Sequence, residues 1–155
     1  EGILYSESET RHLPISGGDV GGSAGFEDFQ KQKVIEGAKL GIEERALRYF
    51  VKQYGSNVDK VFEKFTNHLE EARQENIDPA VLAELTYAMD EELTYTPADF
   101  FVRRTGALYF NIAWVQKHKE SVIKYMAKQL KWTDEQTTTY TEELNQRIKE
   151  ATIQV

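Results

Sequence analysis

The sequence contains no cysteine, which removes disulfides, thiolate metal sites and cysteine nucleophiles from consideration and fits a reducing compartment. The cytoplasm is the expected location. No apolar run approaches the roughly 20 residues of a membrane-spanning helix, and Glu1 to Ser8 lack the basic and apolar regions of a secretory signal. Basic charge is also in short supply: 19 Lys and Arg stand against 26 Asp and Glu, for a formal net charge of -7. Contacts to nucleic acid depend on cations that displace counterions, so no nucleic-acid partner is expected. Histidine is scarce as well. His12, His68 and His118 lie far apart and none has a second ligand at the spacing of an HExxH helix, so no metal site is expected. Each histidine reads as an exposed or capping side chain.

What is present is enough for one core. The 155 residues have the usual size of a single domain. A hydrophobic content of 40% with 12% aromatics exceeds that of disordered chains, and 29% charged residues supply a polar exterior. Residues 1–25 lack periodicity, and Gly17, Gly18, Gly21, Gly22 and Gly25 fall among Ser16, Asp19 and Ser23. Backbone entropy predicts a flexible linker there, with Leu13-Pro14-Ile15 as its only anchor. The chain opens on Glu1-Gly2 without a methionine, which reads as a domain taken from a longer protein.

From Phe26 onward helical spacing dominates. Phe26, Phe29, Val34 and Ala38 share one face up to a stop at Gly41, and Ala46, Leu47, Phe50, Val51 and Tyr54 share another up to Gly55. The two predict a helical hairpin. Ser56 reads as an N-cap with Asp59 returning the bond, before a stripe of Val58, Val61, Phe62, Phe65, Leu69 and Ala72. Asp78-Pro79 and Thr96-Pro97-Ala98-Asp99 are further start signals, because a cap oxygen takes free amides and proline loses no hydrogen bond in the first turn. Asn111 opens a helix running towards Trp132, and Thr133 with Gln136 forms a capping box ahead of Tyr140, Leu144, Ile148 and Ala151. The predicted fold over residues 26–155 is all-α, an irregular bundle of about six or seven short helices preceded by the linker. No strand pattern competes.

The groups that could carry chemistry are few. Gly17-Gly18-Asp19-Val20-Gly21-Gly22 offers bare amides, but neither GxxxxGK[ST] nor a strand-GxGxxG-helix unit is present, and linker outweighs phosphate loop. Asp90, Glu91 and Glu92 point in different directions on a helix and read as a solvated helix end. Arg103-Arg104-Thr105 is the strongest polar group. Two guanidinium forks beside a hydroxyl suit a phosphate or, with the greater weight, the carboxylates of a neighbouring helix, and these three are the candidate interface or anion-contact residues. Tyr87, Tyr95, Tyr109 and Tyr125 alternate with core positions and read as core or interface. No catalytic, cofactor-binding or metal-ligating residue emerges.

Several stretches recur in an ordered set: Leu13-Pro14-Ile15-Ser16-Gly17-Gly18-Asp19; Arg48 to Ser56 ending in Tyr-Gly-Ser; Glu84-Leu85-Thr86-Tyr87-Ala88-Met89-Asp90-Glu91-Glu92; Thr96 to Phe101 with Arg103-Arg104-Thr105; and Met126-Ala127 followed by Leu130-Lys131-Trp132. Together they resemble the C-terminal helical domain of FAD-dependent glycerol-3-phosphate dehydrogenases and, more closely, of bacterial alpha-glycerophosphate oxidases, with the Ser-Gly-Gly-Asp stretch leaning to the oxidase branch. The resemblance implies a parent enzyme that oxidises sn-glycerol 3-phosphate to dihydroxyacetone phosphate through FAD, the oxidase then reducing O2 to H2O2. In the dehydrogenase alternative the electrons pass to quinone. It implies that flavin and substrate sit in an N-terminal FAD and substrate domain of the same polypeptide, and that this fragment binds no FAD and is inactive alone. A homodimer and a peripheral membrane association of the parent are further implications. Beside it stand a free-standing helical interaction module and a helix-turn-helix regulator around Tyr54 to Phe65, which the acidic balance opposes.

Overall fold

The computed structural model describes residues 16–153, and among them helices and turns account for all regular structure, with no strand. The predicted all-α fold is what is observed. Residues 1–15, with the Leu13-Pro14-Ile15 anchor and His12, lie outside the described residues. The chain divides into two compact units, the first ending at Asp59 and the second beginning at Lys60.

In the first unit, α1 (Gly22–Lys39) and α2 (Glu44–Tyr54) form the expected hairpin. Helix α1 starts four residues ahead of Phe26, because extending an existing helix backward gains a hydrogen bond for each residue fixed. It closes at Gly41, whose φ of 81° lets the Ile42 amide reach back to the Gly37 carbonyl at 3.4 Å. Helix α2 buries Leu47, Phe50, Val51 and Tyr54, the i, i+3, i+4, i+7 set of a one-sided helix. It ends at Gly55 (φ 52°, ψ -130°), a conformation that favours glycine. A 3-10 turn (Gly55–Asn57) follows. Here the predicted capping box is not made: the Ser56 amide donates to the Gly17 carbonyl at 3.0 Å, so it is not open to Asp59. The Asp59 carboxylate instead receives the Lys33 ammonium at 2.8 Å.

Helix α3 (Val58–Asn67) carries the buried stripe Val61, Phe62 and Phe65. The expected single helix through Ala72 is split at His68, whose φ of -109° leaves helical geometry, and α4 (Leu69–Gln74) resumes beyond it. The remaining elements of the second unit are α5 (Pro79–Glu92), a π-helical turn (Asp99–Arg104), α6 (Ala107–Phe110), α7 (Ile112–Leu130) and α8 (Asp134–Ile153). Eight α-helices among the described residues thus exceed the six or seven predicted, the additions being α4 and α6.

Helix α5 is the centre of this unit. All eight residues from Val81 to Ala88 are buried, so it is covered on every side, with α4, α7 and the π-turn among its neighbours. Leu82 and Leu85 lose all exposure, which stabilises the fold by about 1.5–3 kcal/mol each. Phe100, Phe101, Val122, Met126 and Leu144 complete the same core. Burying Phe100 and Phe101 side by side goes with the widened turn, which the Thr105 amide closes on the Phe100 carbonyl, five residues back, at 3.0 Å.

Apart from Ser56, the side-chain caps read from the sequence operate as expected. Asp78 accepts from the amides of Ala80 (2.9 Å) and Val81 (3.4 Å), Thr96 from that of Asp99 (3.1 Å), and Asn111 from that of Trp114 (3.2 Å). Thr133 and Gln136 exchange both bonds of their box, at 3.1 and 2.9 Å. The stops of α4, α5 and α7 carry no glycine. Asn76, Leu93 and Lys131 take left-handed φ of 52–55°, and the next amides bond back at 3.0 Å, those of Ile77 and Trp132 across five residues and that of Thr94 across six.

Candidate functional site

The Arg103-Arg104-Thr105 group sits on the last turn of the π segment and runs into α6. Its two guanidinium groups take different partners. Arg103 pairs with Asp99 of its own turn at 3.0 Å and stays largely exposed, whereas Arg104 donates to the Glu92 carbonyl at 2.7 Å and lies 3.5 Å from the Glu92 carboxylate. The Thr105 hydroxyl donates to the Phe101 carbonyl (3.3 Å) and accepts from the Ala107 amide (3.1 Å). Arg104 therefore ties this turn to the end of α5 and Thr105 ties it to the start of α6, while Arg103 pairs within the turn itself.

The acidic run at the end of α5 leaves Asp90 and Glu91 exposed, as expected of a solvated helix end, with Glu92 half-buried. Asp90 pairs with Lys64, Glu91 with Lys60 and Glu92 with Arg104, so each carboxylate faces a separate cation. The hydrogen bond to Glu91 holds the Lys60 ammonium above its ordinary value. On α4 and just after it, Glu75 receives Lys128 and lies 3.8 Å from Lys124, and the bond from Lys128 holds its carboxyl below the ordinary glutamate range. Burial, with Glu71 alongside, pushes the Tyr125 hydroxyl up.

His68 is half-buried at the start of α4, where its ring bonds to Glu71 at 2.7 Å and its side chain caps no amide. His118 departs from the exposed or capping role expected of it. It is buried against Trp114, with ring centroids 5.1 Å apart. Burial pushes its imidazole pKa down, only partly opposed by Asp78, while Lys117 pushes the same way. The signal lay in the spacing of Val115, His118, Val122 and Tyr125 on one face of α7. His118 borders an open groove with Glu75, Asp78, Lys117, Glu120 and Lys124. Carboxylate and ammonium groups both line it. Among the described residues no group of three or more His, Asp or Glu could hold a metal ion.

The glycine group has a local structural use. The Gly17 carbonyl accepts from Ser56, and the backbones approach so closely that a Cβ on Gly55 would stand 2.0 Å from that oxygen. Tyr95, Trp132 and Tyr140 form an aromatic cluster with centroids 4.7–6.2 Å apart, and Tyr87 and Tyr125 are core residues. Tyr109 is exposed.

Known proteins resemble the chain along nearly all its length. The aerobic glycerol-3-phosphate dehydrogenase of Bacillus subtilis (strain 168) is 41% identical over 149 residues, 96% of this chain and 27% of the relative. That of Staphylococcus aureus (strain MRSA252) is 41% identical over 150 residues, 97% of this chain and again 27% of the relative. The chain thus spans about a quarter of the length of the curated relatives it matches. Among solved structures, the glycerol-3-phosphate dehydrogenase from Bacillus halodurans complexed with FAD superposes with a TM-score of 0.84 at 42% identity, covering 86% of this chain and 27% of that one. A family model described as the C-terminal domain of alpha-glycerophosphate oxidase matches residues 8–137, and the chain accordingly belongs to that family of helical C-terminal domains.

Proposed function

We infer that this chain is the helical C-terminal part of a flavin-dependent enzyme that oxidises sn-glycerol 3-phosphate to dihydroxyacetone phosphate, and that it acts there as an accessory domain without a reacting group of its own. The likeness in sequence and fold to a glycerol-3-phosphate dehydrogenase complexed with FAD carries this reading. The polar groups support the second half, because Arg103, Arg104, Thr105 and the acidic run are each paired with other residues of the domain. A flavin does not fit these residues. A dinucleotide site needs a strand, a glycine-rich turn and a helix start, and the described residues contain no strand. FAD belongs to the remainder of the polypeptide. The connector assigned to residues 1–25 would join the two parts, shortened by the first turn of α1. No helix among the described residues is long and apolar enough to cross a membrane, and we place the enzyme in the cytoplasm, with any membrane contact peripheral.

The names of the relatives favour a dehydrogenase with an acceptor such as quinone, while the description of the matching family favours an oxidase that forms H2O2. One experiment separates them. The full-length polypeptide, purified with its flavin, is given glycerol 3-phosphate in air with a peroxide readout, and separately under nitrogen with a quinone. Peroxide in step with substrate consumed assigns the oxidase, and quinone reduction with little peroxide assigns the dehydrogenase. A polypeptide that binds no flavin, or turns over this substrate with neither acceptor, sinks the reading.

A further inference from the structure

We propose that α6, with Tyr109 and Phe110 as its anchors and Leu93 at the neighbouring end of α5, is the surface on which this domain seats the flavin-bearing part of its own polypeptide. The inference rests on the reading above and adds which surface makes the contact.

Among the described residues Phe110 is the most exposed large apolar side chain, at 90%, with Leu93 at 87% and Tyr109 at 67%. Single apolar side chains on a surface need no explanation. These three, however, are carried on segments that the fold fixes with some care. Helix α6 is one turn long, and its inner residues Ala107 and Leu108 are buried in the core. Gly106 in the left-handed region and Thr105 bonded to the Ala107 amide set its start, and the Asn111 amide bonds back to Ala107 at 2.8 Å to set its end. Such a pinned turn leaves its two aromatic rings facing water. Leu93 closes α5 in a left-handed conformation that a leucine adopts at some cost. Arg104, bonded to the carbonyl and carboxylate of Glu92, ties the residue before Leu93 to the turn that leads into α6. Rigid aromatic anchors held on fixed backbone are the residues that dominate protein contacts.

The occupant follows from area and length. Three such side chains offer on the order of 500 Å² of apolar surface. That falls short of the ~800 Å² per partner of a stable interface between free proteins, and so argues against a second copy held by this patch alone. A neighbour in the same polypeptide is held at high effective concentration and needs far less surface. The relatives carry this domain as 27% of their length, so such a neighbour exists in each of them.

The test uses the full-length polypeptide with p-benzoylphenylalanine introduced at Phe110, an aromatic replacement at an exposed position, and a control with the same group at Ile153, which is 82% exposed. After irradiation, peptide mapping is expected to find position 110 joined to the flavin-bearing part of the same chain and position 153 joined to nothing. A covalent species of doubled mass, no adduct from position 110, or equal adducts from both positions would overturn the proposal. Flavin absorbance and glycerol 3-phosphate turnover of the same samples report on the parent reading separately: both intact with no adduct sinks the surface and leaves the enzyme assignment standing.

Discussion

Replacing Gly55 by alanine tests how the first unit closes. The residue sits at φ 52° and ψ -130°, a region that an L side chain enters at roughly 1–3 kcal/mol. The added Cβ would lie 2.0 Å from the Gly17 carbonyl oxygen and 3.0 Å from its carbon, both backbone atoms that no rotamer change can clear. Relief requires the two segments to part, which removes the 3.0 Å bond from the Ser56 amide, a further net loss of about 1 kcal/mol. The expected destabilisation is therefore about 2–4 kcal/mol. Gly41→Ala is the control. Its φ is 81°, but nothing lies within 4 Å of the added carbon, so backbone strain of about 1–2 kcal/mol is the whole cost. Urea unfolding followed by far-ultraviolet circular dichroism compares the two variants with the parent. Equal losses for Gly55→Ala and Gly41→Ala would show that the close approach of the two backbones contributes nothing and refute the reasoning.

Three other perturbations follow from the same structure. Asp78→Ala leaves the Ala80 and Val81 amides without their cap and should cost about 1 kcal/mol in the same unfolding measurement. Arg104→Ala removes a donor from a half-buried carbonyl and should cost about 1–3 kcal/mol, whereas Arg103→Ala breaks only a largely exposed pair and should stay within about 0.5 kcal/mol of the parent; a reversed order would contradict the clamp. His118 has a folded pKa below its ordinary 6.5, so the unfolded chain takes up the proton first. Stability should be full above about pH 6.5 and fall as the pH drops towards the folded value, and His118→Gln should flatten that part of the pH profile.

Four starts were legible because each depends on side chains within three residues of the amides they satisfy, Asp78, Thr96, Asn111 and the Thr133–Gln136 pair, whereas the Ser56 signal failed because a distant carbonyl, that of Gly17, takes its amide. The stops were legible only where glycine marked them. At Asn76, Leu93 and Lys131 the left-handed turn follows from what comes next, where Ile77 and Trp132 bury themselves and Thr94 bonds back to α5, and neither event has a local signature. Burial of α5 on every side comes from the elements packed around it, which its own start signal does not reveal. At the candidate site the choice between clamp and ligand contact depended on partners that spacing does not reveal. Glu92 precedes Arg104 by 12 residues, and Lys60 precedes Glu91 by 31. The pattern named the arginines as noteworthy and left their carboxylates unidentified. His118 was readable from its place between Val115 and Val122, and scattered histidines drew attention away from it.

The π-helical turn has a consequence for how the domain tolerates changes in length. One residue advances an α-helix by about 100°, so removing any residue between Asp99 and Arg104 would swing the following segment through more than a quarter of a circle. Arg104 would then turn away from Glu92, and the one-turn helix beyond it would lose its phase relative to the core. Insertions and deletions should accordingly be rejected here and absorbed in connectors such as residues 40–43, which makes this segment a fixed ruler for aligning related chains.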